Sequence, residues 1–209
     1  MENVIVYGAG EFGSLISNMI SYHDDLNIIA YGDNDLKKIG KLIDGLPVFG
    51  SADLLNFAQE NEVKYAISAI GNNIIRSEKY NFLKNEGFRM LSIVHPRALI
   101  DTKVTYGDNV IIEMGTAIHT NSNIGNNVFL GGDALIGHHN MIGNHVLVGG
   151  NVSLGGAVTV QDYVSIGVGA SIKPGVKLGE GSVVGVGAAV VKDVSPGDVV
   201  VGVPAKPIK

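Results

Sequence analysis

Leu130 to Leu154 reads LGGDALIGHHNMIGNHVLVGGNVSL, with an aliphatic residue at every sixth position. Outward from there the rule holds without a miss through Ile112, Ile118, Ile124, Leu130, Ile136, Ile142, Val148, Leu154, Val160, Ile166, Ile172, Leu178, Val184 and Val190. A helix repeats near 3.6 residues and a strand near 2, so neither requires six. A fixed short period of this kind marks a parallel β-helix, in which each turn of chain stacks on the last. Glycine often follows the aliphatic residue, and the fourth residue after it is usually small or valine, as at Ala134, Val146, Val152 and Val158. The pattern predicts a triangular coil, three hexads to a turn. Stacked aliphatics fill its interior, and its corners need glycine-like backbone freedom. Asn140 breaks the pattern, and Val203-Pro204-Ala205-Lys206-Pro207 is expected to leave the coil.

The first half has a different rhythm. Val4-Ile5-Val6-Tyr7 predicts a buried strand, and Gly8-Ala9-Gly10-Glu11-Phe12-Gly13 follows as a turn. Phe12, Leu15, Ile16, Met19 and Ile20 then share one helical face. Further strands are expected over 26–31, 65–70 and 90–94, with helices over 52–61 and 74–86. Strands alternating with helices imply a parallel sheet with right-handed crossovers. His95-Pro96 is expected to end this half, because the residue before proline is pushed out of helical geometry.

Composition narrows the function. The chain has 209 residues, 45 % of them apolar, and carries neither cysteine nor tryptophan. Zero cysteines excludes disulfides, thiolate metal sites and a cysteine nucleophile, and fits a reducing cytoplasm. A formal net charge of −5 argues against general nucleic-acid binding. The first residues lack a basic segment, so no signal peptide is expected, and no apolar run is long enough to predict membrane insertion.

Gly8-x-Gly10-x-x-Gly13 between a strand and a helix is a phosphate-binding turn in its proper context. Asp33 lies where a ribose-binding acid would sit in a dinucleotide fold. The half is short for such a fold, and the same turn serves any phosphate. Ligands of open α/β sheets sit beyond the carboxyl ends of the strands. This places Gly10, Glu11, Phe12, Asp33, Asn34, Lys37, Gly71, Asn72 and Arg76 as candidate substrate contacts, with Arg76 facing a diphosphate and Asp33 a ribose or base edge.

His138 and His139 occupy outward positions of their hexad, where imidazoles suit acid–base work near neutral pH. His119 and His145 read as surface residues. A zinc site needs three well-placed ligands, and the histidine spacings do not supply them, so no metal is expected.

The hexapeptide coil, the α/β half before it, Ala69-Ile70-Gly71-Asn72-Asn73-x-x-Arg76, the His138 hexad and the Val201-Gly202-Val203-Pro204-Ala205-Lys206 tail together resemble bacterial sugar acyltransferases of the sialic-acid O-acetyltransferase type. The closest likeness is to N-acetyltransferases of nucleotide-linked 4-amino-4,6-dideoxysugars in the bacillosamine and perosamine pathways. The resemblance implies a Rossmann-like nucleotide-sugar domain over residues 1–97 and a left-handed β-helix over 98–209. It also implies a cytoplasmic homotrimer with active sites between subunits. His138 aligns with the family's catalytic base, and His139 stands where the family often has Asp or Glu. Gly10-Glu11-Phe12-Gly13 stands where the family often has Ser-Gly-His-Gly. Acetyl-CoA is implied as co-substrate, along Leu147, Gly156, Val168 and Val186, with Lys173, Lys192 or Lys206 near its phosphates. A main-chain N–H near Gly155-Gly156 would stabilise the oxyanion. Transfer to a sugar hydroxyl, a non-catalytic nucleotide-sugar scaffold and a nicotinamide enzyme remain as alternatives.

Overall fold

The computed structural model describes residues 1–208 and divides the chain into two compact units, with the division between Ile93 and Val94. The first unit is a six-stranded sheet flanked by three helices. Strand β1 (Glu2–Tyr7) is followed by helix α1 (Glu11–Ile20), β2 (Leu26–Gly32), β3 (Leu42–Ile43), β4 (Leu46–Phe49), α2 (Ser51–Glu60), β5 (Tyr65–Ser68), α3 (Asn73–Asn85) and β6 (Arg89–Met90). Their order across the sheet is β3-β4-β2-β1-β5-β6, parallel except for the β3–β4 hairpin. That hairpin is absent from the sequence expectation, because a two-residue strand carries too little periodicity to register. Val4 to Tyr7 are buried because β1 is central and covered on both faces. Tyr7 pairs with both Gly32 and Ser68, so β1, β2 and β5 end at one level and deliver their following loops to one edge.

The second unit is a left-handed parallel β-helix. Two-residue strands pair in parallel with the strands eighteen residues on, as Leu135-Ile136 with Ser153-Leu154, and build three sheets that form the walls of the coil. Every aliphatic residue of the six-residue series is buried, and they form one continuous core with Val146, Val152, Val158, Val164 and Ala170. The ladder begins earlier than His95-Pro96 suggests, since His95 N–H already donates to the Ile112 carbonyl.

Two expectations change. The glycines that follow the aliphatic residue are not where the chain needs positive φ. Left-handed backbone falls two residues later, at Asn121, Asn127, Asp133, His139, His145, Asn151, Ala157 and Tyr163, then at Gly169, Gly175, Gly181 and Gly187. Asn, Asp, His and Gly tolerate that region best. The glycine after the aliphatic is a spacer instead: a Cβ on Gly137 would lie 2.8 Å from the Gly155 backbone of the next coil. The tail also stays with the coil. Val199–Val201 continues the ladder beside Val183-Val184, and Lys206-Pro207 folds back antiparallel onto it.

Candidate active site

The loops after β1, β2 and β5 enclose a cavity of about 370 Å³. Gly10, Glu11, Phe12, Asp33, Asn34 and Gly71 line it, together with Tyr7, Lys38, Ile75 and Lys79. Gly8 has φ +123, and a Cβ there would meet the Ala69 carbonyl, while one on Gly13 would meet the Gly8 carbonyl. Those glycines let β1, α1 and β5 approach. No side chain caps the N-terminus of α1, whose N-cap, Gly10, lines the cavity. A helix N-terminus and its dipole suit an anion. Lys38 and Lys79 add positive charge, with Lys79 Nζ held 4.9 Å from the Tyr7 ring centroid. Glu11 in the first turn of α1 adds the opposite charge.

The sequence candidates sort by what their polar atoms already touch. Asp33 is committed to the protein: Oδ2 accepts from Ala9 N–H and Lys38 Nζ, both at 3.0 Å, and Oδ1 accepts from Asp35 N–H at 2.9 Å. Burial alone would raise its pKa, but the hydrogen bonds from Asp35, Lys38 and Ala9 and the Lys38 charge outweigh it and hold the carboxyl below its ordinary value. Its oxygens therefore brace the glycine turn rather than wait for a ribose.

Arg76 does not face the cavity as expected. It is 2 % exposed and donates to the Ile70 and Gly71 carbonyls and to Asn73 Oδ1. Burial pulls its pKa down to about 10, still cationic at neutral pH. A guanidinium bound to two carbonyls orders the 70–73 turn and is not aimed at a diphosphate. Asn72 caps α3, its Oδ1 accepting from Ile74 and Ile75 N–H at 3.0 Å. Lys37 is exposed and lies outside the cavity lining, where its neighbour Lys38 points in. Tyr7 was missed because a tyrosine ending a buried strand reads as core. Its hydroxyl in fact bonds Asn34 Oδ1 at 2.7 Å and Ser51 Oγ at 2.6 Å.

In the coil, His138 and His139 are exposed on one corner. Their Nδ1 atoms lie 3.0 Å apart, with the rings nearly perpendicular. His139 Nε2 is 3.3 Å from Asn121 Nδ2, one coil earlier. The dipeptide is anchored from within. Asn140, fully buried, donates from Nδ2 to the Gly137 carbonyl and accepts at Oδ1 from Val158 N–H, and Ser122 Oγ also donates to Gly137. Asn140 thus breaks the apolar pattern to hold backbone, not to orient His138. One coil later lies Gly156, where a Cβ would come within 2.6 Å of His138 Nε2. Gly156 N–H has no acceptor among the described residues, whereas Gly155 N–H is spent on the Ile172 carbonyl.

Leu147, Val168 and Val186 do not join this corner. The strand at Leu147-Val148 belongs to another wall, and Val168 and Val186 stack on the corner that follows that wall, 53 % and 78 % exposed. His145 pairs through Nδ1 with Asn127 Nδ2 at 2.7 Å and stacks on Tyr163, a ladder along a third corner. His119 sits 3.9 Å from Asp101. No group of three His, Asp or Glu side chains among the described residues could hold a metal ion.

Comparison with known proteins follows this division. Residues 3–83 match the PglD N-terminal domain family. The chain is 28 % identical to PerB from Caulobacter crescentus, solved in complex with CoA and GDP-perosamine, with a TM-score of 0.93 over 100 % of this chain and 98 % of that one. It is 25 % identical to the acetyltransferase domain of PglB from Neisseria gonorrhoeae FA1090, solved with acetyl coenzyme A, with a TM-score of 0.89 over 99 % of each chain. The redox-sensing transcriptional repressor Rex of Treponema denticola is 29 % identical over 113 residues, and the chain spans about half (51 %) of that protein's length. The N-terminal unit is thus similar to the PglD N-terminal domain, and the chain shares its fold along its whole length with the Caulobacter and Neisseria proteins.

Proposed function

We propose that this chain transfers the acetyl group of acetyl-CoA to the amino group of a nucleotide-linked 4-amino-4,6-dideoxysugar. One observation carries the chemistry: an exposed imidazole, His138, lies over Gly156, whose main-chain N–H has no acceptor among the described residues. A base beside an unspent amide is what acyl transfer to an amine needs. The amine lone pair attacks the thioester carbonyl, His138 Nε2 takes the amine proton, and Gly156 N–H steadies the oxyanion. Collapse breaks the C–S bond, and the CoA sulfur leaves with a proton. No covalent acyl-enzyme is required. The solved complexes of the Caulobacter and Neisseria proteins support these co-substrates.

The cavity of the N-terminal unit takes the nucleotide. Its uncapped α1 N-terminus and two lysines answer a diphosphate, and Phe12 and Ile75 offer apolar surface. Asn34 remains a candidate sugar or base contact. Acetyl-CoA would run along Leu147, Val168 and Val186, but these lie on a different corner from His138 and Gly156. One groove contains both sets only if a second copy supplies one of them, which favours a homotrimer with sites between subunits. Both co-substrates are metabolites of the cytoplasm, where we place the protein.

The test is thiol release from acetyl-CoA with UDP-, dTDP- and GDP-linked 4-amino-4,6-dideoxysugars, with free sialic acid as the hydroxyl acceptor. Activity with an aminosugar is expected, and His138→Ala should lower turnover about 10²- to 10⁴-fold with CoA still bound. Activity with sialic acid alone would move the assignment to O-acetylation. Retained turnover in His138→Ala would remove the base.

A further inference from the structure

The corner that carries His138 holds a third group that the sequence did not single out. Asn121, His139 and His138 form a chain of side chains: Asn121 Nδ2 stands 3.3 Å from His139 Nε2, and His139 Nδ1 3.0 Å from His138 Nδ1. Both nitrogens of His139 are therefore engaged. A neutral imidazole has one N–H and one lone pair, so only two proton arrangements fit this chain. If Asn121 presents its NH₂, His139 accepts at Nε2 and donates from Nδ1. His138 must then accept at Nδ1 and carries its proton on Nε2, where it cannot act as a base. If Asn121 presents its oxygen, every bond reverses. His139 donates from Nε2 and accepts at Nδ1, His138 donates from Nδ1, and His138 Nε2 is left bare over Gly156. The two ends of a carboxamide are nearly isosteric, and a half-turn exchanges them.

We infer that Asn121 is a positioning residue that acts through His139 to hold His138 in the tautomer with a bare Nε2, its carboxamide oxygen turned toward His139 in the working enzyme. The inference rests on His138 being the base of the proposed transfer. It assigns to an imidazole–carboxamide pair the orienting work that a carboxylate beside the base does elsewhere. Coil stacking makes the pair possible. Asn121 and His139 are eighteen residues apart, and both occupy the left-handed corner position, at φ +59, so their side chains leave neighbouring coils in the same direction.

Turn geometry does not depend on the Asn121 side chain. His139 N–H bonds the Thr120 carbonyl, Ala157 N–H bonds the His138 carbonyl, and Asn140 and Ser122 hold Gly137 from inside the coil. This allows a clean pair of variants. Asn121→Gly accepts the left-handed backbone and deletes the amide. Asn121→Asp keeps that backbone and can only accept from His139 Nε2–H.

The expected result is that Asn121→Gly lowers kcat about ten- to a hundred-fold with KM for both substrates within a few-fold, while Asn121→Asp restores kcat to near the native level. Unchanged kcat in Asn121→Gly would overturn the inference, as would equal loss in both variants with unchanged thermal melting. A second readout needs no turnover. With ¹⁵N-labelled histidine, the native protein should show His138 Nε2 unprotonated and Nδ1 protonated, and Asn121→Gly should show the two tautomers mixed. If the native protein acetylates no acceptor yet shows that tautomer, the functional assignment fails and the relay stands. If Nε2 carries the proton, the relay fails whatever the activity.

Discussion

His138 depends on one absent atom. Its ring occupies the space where a side chain on Gly156 would begin, with Cε1 2.5 Å and Nε2 2.6 Å from that imagined Cβ. Gly156→Ala must therefore move the imidazole or the coil beneath it. Misplacement of a catalytic group by about 1 Å can cost on the order of 10²-fold in rate. The expected outcome is a comparable fall in kcat with melting little changed, because the position is only half-buried. Thiol release and a thermal melt on the same sample check it. Candidate residues were legible at this scale as chemical types but not as partners. Asp33, Asn72 and Arg76 stood at the right edge of the sheet, yet their polar atoms close onto Ala9, Ile74, Ile75, Ile70 and Gly71. A hydrogen bond to a main-chain atom leaves no compositional trace, so sequence alone assigned these residues to the ligand.

Elements of the coil use glycine in two physically different ways. Gly137 precedes a corner and faces the backbone of the next coil, whereas Gly175 has open space around its missing side chain but φ +76. Gly137→Ala should suffer overpacking, about 1–3 kcal/mol, with no local remedy because the obstruction is main chain. Gly175→Ala should cost about 1–2 kcal/mol through left-handed backbone alone, and Gly175→Asn should recover most of it, as Asn serves the same corner position at 121. Chemical denaturation of the three variants separates the causes. Equal losses for Gly175→Ala and Gly175→Asn would mean that space, not φ, decides. Every aliphatic of the six-residue series is in the core, because burial imposes the period directly. The period misplaced the strained residue by two positions, because both glycine roles leave the same letter in the sequence.

Across the whole molecule, the proposed CoA contacts Leu147, Val168 and Val186 lie away from the corner of the β-helix that the proposed base shares with Gly156. A site shared between copies predicts complementation. His138→Ala and Val186→Trp, each inactive alone, should regain about a quarter of native activity when co-refolded in equal amounts, since only one of the four equally frequent neighbour pairings brings an intact His138 against an intact Val186. No recovery, with mixed oligomers shown by mass spectrometry, would place the whole site within one chain.

The sequence by itself determined the β-helix, its core, the α/β unit before it and the two loop edges where chemistry gathers. Periodicity, glycine turns and exposed histidines follow directly from burial and backbone sterics. Only the tertiary structure decided which of those residues are free to act. It spends Asp33 and Arg76 on the loops they occupy. It brings Lys38 and Tyr7 to the cavity, and it stacks Asn121, His139, His138 and Gly156 across coils eighteen residues apart. Contacts between coils depend on three-dimensional register and on atoms of the main chain, which the order of side chains does not record.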